Sequence, residues 1–142
     1  MKNKLVAIMV TLLVAITLVG VIAIVVITKF TGETEAKAEP SADEIVESSV
    51  EIPEITTNLA TGDFIRISFM IQTDSKDGKE ELEKRNFQAK NIIITELSEL
   101  KADQLKGKAG KEQLQENLKG QINGLMQEGK VEKVYITSSI LQ

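Results

Sequence analysis

The sequence predicts an α+β fold: a single N-terminal transmembrane helix, then a small domain in the order strand, strand, helix, helix, strand. Three observations predict it. Leu5 to Thr28 carry no charge and are nearly all aliphatic. Ile65, Ile67, Phe69 and Ile71 alternate with polar residues, the period of a half-buried strand. Leu114, Leu118, Ile122 and Leu125 recur at three- and four-residue spacing, the period of one helix face.

The apolar run comes first. As a helix at ~1.5 Å per residue it reaches about 36 Å, enough to cross a hydrocarbon core roughly 30 Å thick with some tilt. A cleavable signal peptide is the rival reading. It has an apolar core of roughly 7–15 residues and a small-x-small cleavage site. This run is longer and ends in Thr28-Lys29-Phe30 with no A-x-A-like site before it. A buried core helix is the third reading, and few soluble helices are apolar all round. The uncleaved anchor, with Leu5 and Thr28 as its limits, is the reading taken. Lys2, Lys4 and the amino terminus precede it and an acidic stretch follows, so the tip 1–4 is expected in the cytoplasm and the domain outside. Ala7, Thr11 and Ala15 form a small-residue stripe, which fits either a helix partner or lipid.

Residues 29–44 read as an acidic linker. From Glu33 to Glu54 eight carboxylates face only Lys37, whereas 55–142 holds thirteen acids and thirteen bases. The acidity therefore belongs to the stalk, whose like charges favour extension. The near-neutral domain lacks the clustered basic surface that nucleic acid requires.

The domain is expected over 45–142. Val50 and Ile52 flank Glu51 as in a strand, and Pro53 predicts an edge position. Thr61-Gly62-Asp63 is a turn before the strand of Ile65 to Ile71. One helix is expected from about Lys79 to Leu100, with Leu82, Ala89, Ile93, Leu97 and Leu100 on one face. Ile92-Ile93-Ile94 argues the other way, since β-branched residues favour strands. Gly107 and Gly110 mark a break. A second helix is expected from about Lys111 to Glu128, weakened by Gly120 and Gly124 and stopped at Gly129. The last strand spans Val131 to Leu141, with Val134, Ile136 and Ile140 on one face and Tyr135, Thr137 and Leu141 on the other.

Composition excludes much chemistry. The chain has no Cys, His or Trp, so there is no disulfide, no thiolate and no imidazole base or metal ligand. No phosphate loop, nucleophile elbow or dinucleotide turn is present. Glu80, Glu81 and Glu83 cluster at a helix start, where carboxylates are favoured by the helix dipole and usually solvated. Lys106, Lys108 and Lys111 surround the inter-helix glycines; they read as a solvated loop or as a site for a phosphate or an acidic partner. No catalytic, cofactor-binding or metal-binding residue is assigned, and no cofactor is expected.

The chain resembles the flagellar basal-body-associated FliL family. The resemblance runs through Thr57-Asn58-Leu59, Ile92-Ile93-Ile94-Thr95-Glu96-Leu97-Ser98, Ala102-Asp103-Gln104-Leu105 and Gly110-Lys111-Glu112-Gln113-Leu114. It continues through Ile122-Asn123, Gly129-Lys130-Val131 and Val134 to Gln142. Family members often carry Pro in place of Phe87, Asp in place of Asn91 and an aromatic residue in place of Ser139. The resemblance implies a fold similar to the stomatin/prohibitin (SPFH) type and a non-enzymatic protein of the cell membrane. It further implies association with the flagellar stator and basal body, support of rotation, swimming, swarming and chemotaxis, and a homo-oligomeric ring. The alternative is a tethered binding domain for another envelope component. A small hydrolase is the third possibility, disfavoured by the missing His and Cys.

Overall fold

The computed structural model describes residues 2–30 and 39–142. The chain divides into two compact units, Met1–Pro40 and Ser41–Gln142. In the first, helix α1 spans Lys2–Phe30, past both Leu5 and Thr28. Its large apolar side chains from Leu5 to Val26 are all exposed. Thr11 and Thr17 turn their hydroxyls back onto the helix, donating to the Ala7 carbonyl at 2.6 Å and the Leu13 carbonyl at 3.0 Å. Neither hydroxyl then needs a partner outside the helix.

The second unit opens with a short helix, α2 (Ala42–Glu47). Ser41 and Glu44 cap it reciprocally: the Glu44 N–H donates to Ser41 Oγ, and the Ser41 N–H donates to Glu44 Oε2 at 2.7 Å. Strands β1 (Ser49–Asn58) and β2 (Phe64–Thr73) follow, joined by a turn in which Gly62 has a φ of 87°. Helices α3 (Lys76–Lys84) and α4 (Asn86–Glu99), a 3₁₀ turn (Ala102–Leu105), helix α5 (Gly107–Asn123) and strand β3 (Val131–Leu141) complete the chain. The sheet is antiparallel, in the order β1-β2-β3, so both β1 and β3 are edges.

The fold is mixed helix and sheet as expected, with α2 added before the first strand and one expected helix divided. The single helix predicted from Lys79 to Leu100 is two, because Arg85 leaves helical geometry at φ −94°, ψ 11°. Its side chain spans the joint, donating from Nε to Glu81 at 2.7 Å and from a terminal nitrogen to Gln88 at 3.1 Å. Leu82 and Ala89, on either side of the joint, still face the same core.

That core lies between one sheet face and the helices. Ile52, Phe69, Ile71, Leu82, Ala89, Ile93, Leu97, Leu118 and Ile122 are wholly buried. Burying each large side chain contributes about 1.5–3 kcal/mol. Packing against that core outweighs β propensity in the isoleucine triplet: Ile93 is buried, and the segment is helical throughout.

Helix α5 begins and ends earlier than the expected Lys111 to Glu128. It starts against the 3₁₀ turn, where a Cβ on Gly110 would stand 2.1 Å from the Gln104 carbonyl oxygen. It stops at Gly124. Gly129, expected as the helix stop, instead turns the chain into β3 with a φ of 66°.

Three register shifts bend the sheet. One falls in β1 between Ile52 and Ile55, at Pro53 and Glu54. A second falls at the start of β3, where Gln72 pairs with Lys133 but Thr73 pairs with Val131, leaving Glu132 extra, and the third falls further along β3, where Ser68 pairs with Ser138 but Phe69 pairs with Ile136, leaving Thr137 extra. An extra residue reverses the alternation beyond it. Ile140 therefore pairs with Arg66 on the face away from the helices, and Leu141 pairs with core-facing Ile65. This corrects the uninterrupted alternation expected for the last strand.

Candidate functional site

Polar side chains at long range do one kind of work here: they close backbone groups that the sheet and helices leave open. Asn123, at the end of α5, accepts from the Val131 N–H at 2.7 Å and donates to the Val131 carbonyl at 3.0 Å. Gln115, two turns earlier, donates to the Val134 carbonyl at 2.5 Å. Glu96 on α4 accepts from Asn117 at 3.1 Å and Gln121 at 2.5 Å, joining the two long helices.

The carboxylate trio at the start of α3 separates in the structure. Glu80 and Glu83 are exposed, as solvated carboxylates should be. Glu81 accepts from the Gln127 N–H at 3.0 Å, from the Glu128 N–H, and from Arg85. The Glu128 amide holds this carboxyl below its ordinary value, against an opposing effect of burial and with help from Arg85 and the Gln127 amide. Nothing local marks Glu81 in the sequence, since its main partners lie 46 and 47 positions away.

Asp74 does similar work beside it. Burial works to raise its carboxyl; hydrogen bonds from the Lys130 amide and the Ser75 hydroxyl outweigh this and leave it lowered. Gly129 completes the junction: a Cβ there would lie 2.7 Å from both Asp74 Oδ1 and Gly78 Cα.

The lysine loop is largely self-neutralised. Lys106 donates to Asp103 at 2.5 Å, which lowers that carboxyl and raises the Lys106 amine. Lys108 lies 3.5 Å from Glu112. Lys111 is exposed. Gly120, half of the G-x-x-x-G in α5, has open space where its Cβ would be, so it serves no close approach.

The sheet face away from the helices is the larger unclaimed surface. Phe64 is exposed at one end, and Arg66, Met70 and Tyr135 are half-buried along it. The Tyr135 hydroxyl donates to Gln72 at 3.0 Å, and the Lys133 amine lies 5.0 Å from the ring centre. Arg66 stands 3.8 Å from Glu54 at the β1 bulge, and its Nε is buried without a partner among the described residues. Phe87, at the start of α4, is 72% exposed. Such a mixture of aromatic, Arg and Met side chains is typical of protein-binding surfaces.

Among the described residues no group of three His, Cys, Asp or Glu side chains could hold a metal. The segments that carry the resemblance hold the fold: Glu96, Gly110, Asn123 and Gly129 each occupy a position described above.

Comparison with known proteins agrees with those segments. The family model described as flagellar basal body-associated protein FliL matches residues 49–142, from the first residue of β1 to the last residue of the chain. The flagellar protein FliL of Bacillus subtilis (strain 168) is 53% identical over 112 residues, covering 78% of this chain and 80% of that protein. On both grounds, the chain belongs to the FliL family of flagellar basal body-associated proteins.

Proposed function

We propose that this protein is a membrane-anchored accessory component of the flagellar basal body that associates with the ion-driven stator. In that role it supports rotation, swimming, swarming and chemotaxis. The observation that carries the reading is the family match over residues 49–142, which hold all three strands and the helices between them. Helix α1 supports it, since it is long and apolar enough to cross a membrane. In this reading Leu5 and Thr28 limit the span, residues 1–4 stay in the cytoplasm, and 29–44 set the height of an extracytoplasmic domain. The charge of Lys2 and Lys4 favours that topology. The domain acts by binding, in a homo-oligomeric ring around the stator, with a fold of the stomatin/prohibitin type.

Deleting the gene and restoring it on a plasmid tests the reading. The expected result is reduced swimming in viscous medium, restored by the intact gene, with stator subunits recovered on the tagged protein from detergent-solubilised membranes. Unchanged motility under load, together with recovery of envelope proteins and no stator, would overturn it.

A further inference from the structure

We infer that the outer edge of β3 is capped at Val131 and Val134 and open at residues 139–141, and that the open stretch pairs antiparallel with the same stretch of a second copy of this chain. The inference stands on the hydrogen-bond pattern of the sheet and does not need the stator reading; because a two-fold pairing closes on itself, a ring would join such pairs through a second surface.

An edge strand exposes unpaired backbone groups, and proteins guard such edges. The β1 edge carries Pro53, which has no N–H to offer, a bulge at that point, and the charges of Glu51 and Glu54. The first half of β3 is guarded differently. Asn123 takes both backbone groups of Val131, Gln115 takes the Val134 carbonyl, and Glu132 and Lys133 add charge. Beyond Ile136 the guarding stops. Thr137 to Gln142 contains no charged side chain and no proline, and every residue in it is exposed. Among the described residues no side chain bonds its backbone.

The direction of those free groups follows from the pairing. Phe64 and Gln142 exchange two backbone bonds, each 2.8 Å. Bonded and non-bonded pairs alternate in an antiparallel ladder. Ile140, paired with Arg66, therefore also directs its backbone groups toward β2. Ser139 and Leu141 direct theirs outward, into solvent.

A second copy fits that pattern. With Ile140 at the centre of an antiparallel register, Ser139 of each copy stands opposite Leu141 of the other. Both residues offer outward groups, so both pairs can exchange two bonds. Ile140 then meets its own copy at the non-bonded position, where side chains come closest and β-branched pairs stabilise the ladder. Ser139, Ile140 and Leu141 have no charged side chain, so no like charges face one another at these three positions. The bulge at Thr137 sets the arrangement, because it places Ile140 on the face away from the helices. The contact is small, and it draws on a membrane anchor that confines copies to one plane and raises their effective concentration.

The chain has no cysteine, which makes the test clean. Full-length Ile140→Cys, in membranes treated with a mild oxidant, is expected to give a disulfide-linked dimer, whereas Glu132→Cys on the guarded half gives none. Adding Ser139→Pro removes one outward N–H without touching the bonds to β2. It should abolish the dimer while the protein keeps its resistance to limited proteolysis. Leu141→Pro is the second variant should the first fail to fold. No dimer from Ile140→Cys, equal dimer from Glu132→Cys, an adduct to a different protein, or a dimer that survives both prolines would each overturn the pairing. Motility scores the stator reading separately.

Discussion

The side-chain amide of Asn123 pairs with both backbone groups of Val131, taking the place of a fourth strand at the point where β3 begins. The helix that precedes the strand thereby caps the strand it leads into. Asn123→Ala removes both bonds and leaves the Val131 groups unsatisfied at a buried residue. An unsatisfied buried group costs about 1–3 kcal/mol. The expected outcome is a loss in that range in urea denaturation of the detergent-solubilised protein. Asn123→Asp should recover part of it, since it keeps the acceptor for the Val131 N–H.

Two glycines of α5 should respond in opposite directions. Gly120 is exposed within the helix, and an added methyl there would meet nothing within 4 Å, so Gly120→Ala should stabilise by about 0.5–1 kcal/mol. Gly110→Ala drives a methyl into the Gln104 carbonyl, against backbone that has no flexible end to give way. It should destabilise by about 1–3 kcal/mol, as overpacking does. Thermal melts of both variants against the parent check the sign of each.

Glu81 gives stability a defined dependence on acid. Its folded carboxyl titrates below the ordinary value of 4.5. A lowered folded value means that its contribution is complete above that ordinary value and is lost as the pH falls through the folded one. Asp74 acts in the same sense, below its ordinary value of 3.8. Denaturation midpoints measured from pH 7 downward should fall in the acid range for the parent and fall less steeply for Glu81→Gln. Equal slopes would show that the carboxylate makes no difference between folded and unfolded states.

Two phenylalanines separate packing from surface. Phe69 is wholly buried between β1 and β3, and Phe69→Ala should cost about 3–5 kcal/mol. Phe87 is 72% exposed, and Phe87→Ser should change stability by less than about 0.5 kcal/mol. A large loss from Phe87→Ser would place that ring in a contact between copies or with another protein.

Periodicity made part of this fold legible. Ile65 to Ile71 and the row Ala89, Ile93, Leu97 could be read directly, because burial on one face imposes a repeat. Local chemistry supplied the turn at Gly62. The helix α2 was equally local, in Ser41 and Glu44, but lay in a stretch whose acidity reads as linker. What could not be read was set by partners far along the chain. The role of Glu81 depends on Gln127 and Glu128. The reversal of faces in β3 depends on Thr137 being left out of the ladder, which no repeat announces. The surfaces available for binding were hidden for the same reason: exposure at Phe64, Phe87 and Ile140 is decided by what the helices fail to cover.

The bond between Asp74 and the Lys130 amide lies at the end of the sheet where β1 starts and β3 starts, and β3 finishes at the opposite end, beside Phe64. The chain from α2 enters at the first of these ends. A pull between the start of β1 and the tip of β3 therefore runs along the strands, across hydrogen bonds that lie perpendicular to it. Both ladders are strained in shear and must yield together rather than unzip one bond at a time. The three strands form a mechanical clamp between the start of β1 and the tip of β3, in which the bonds of each ladder share the traction.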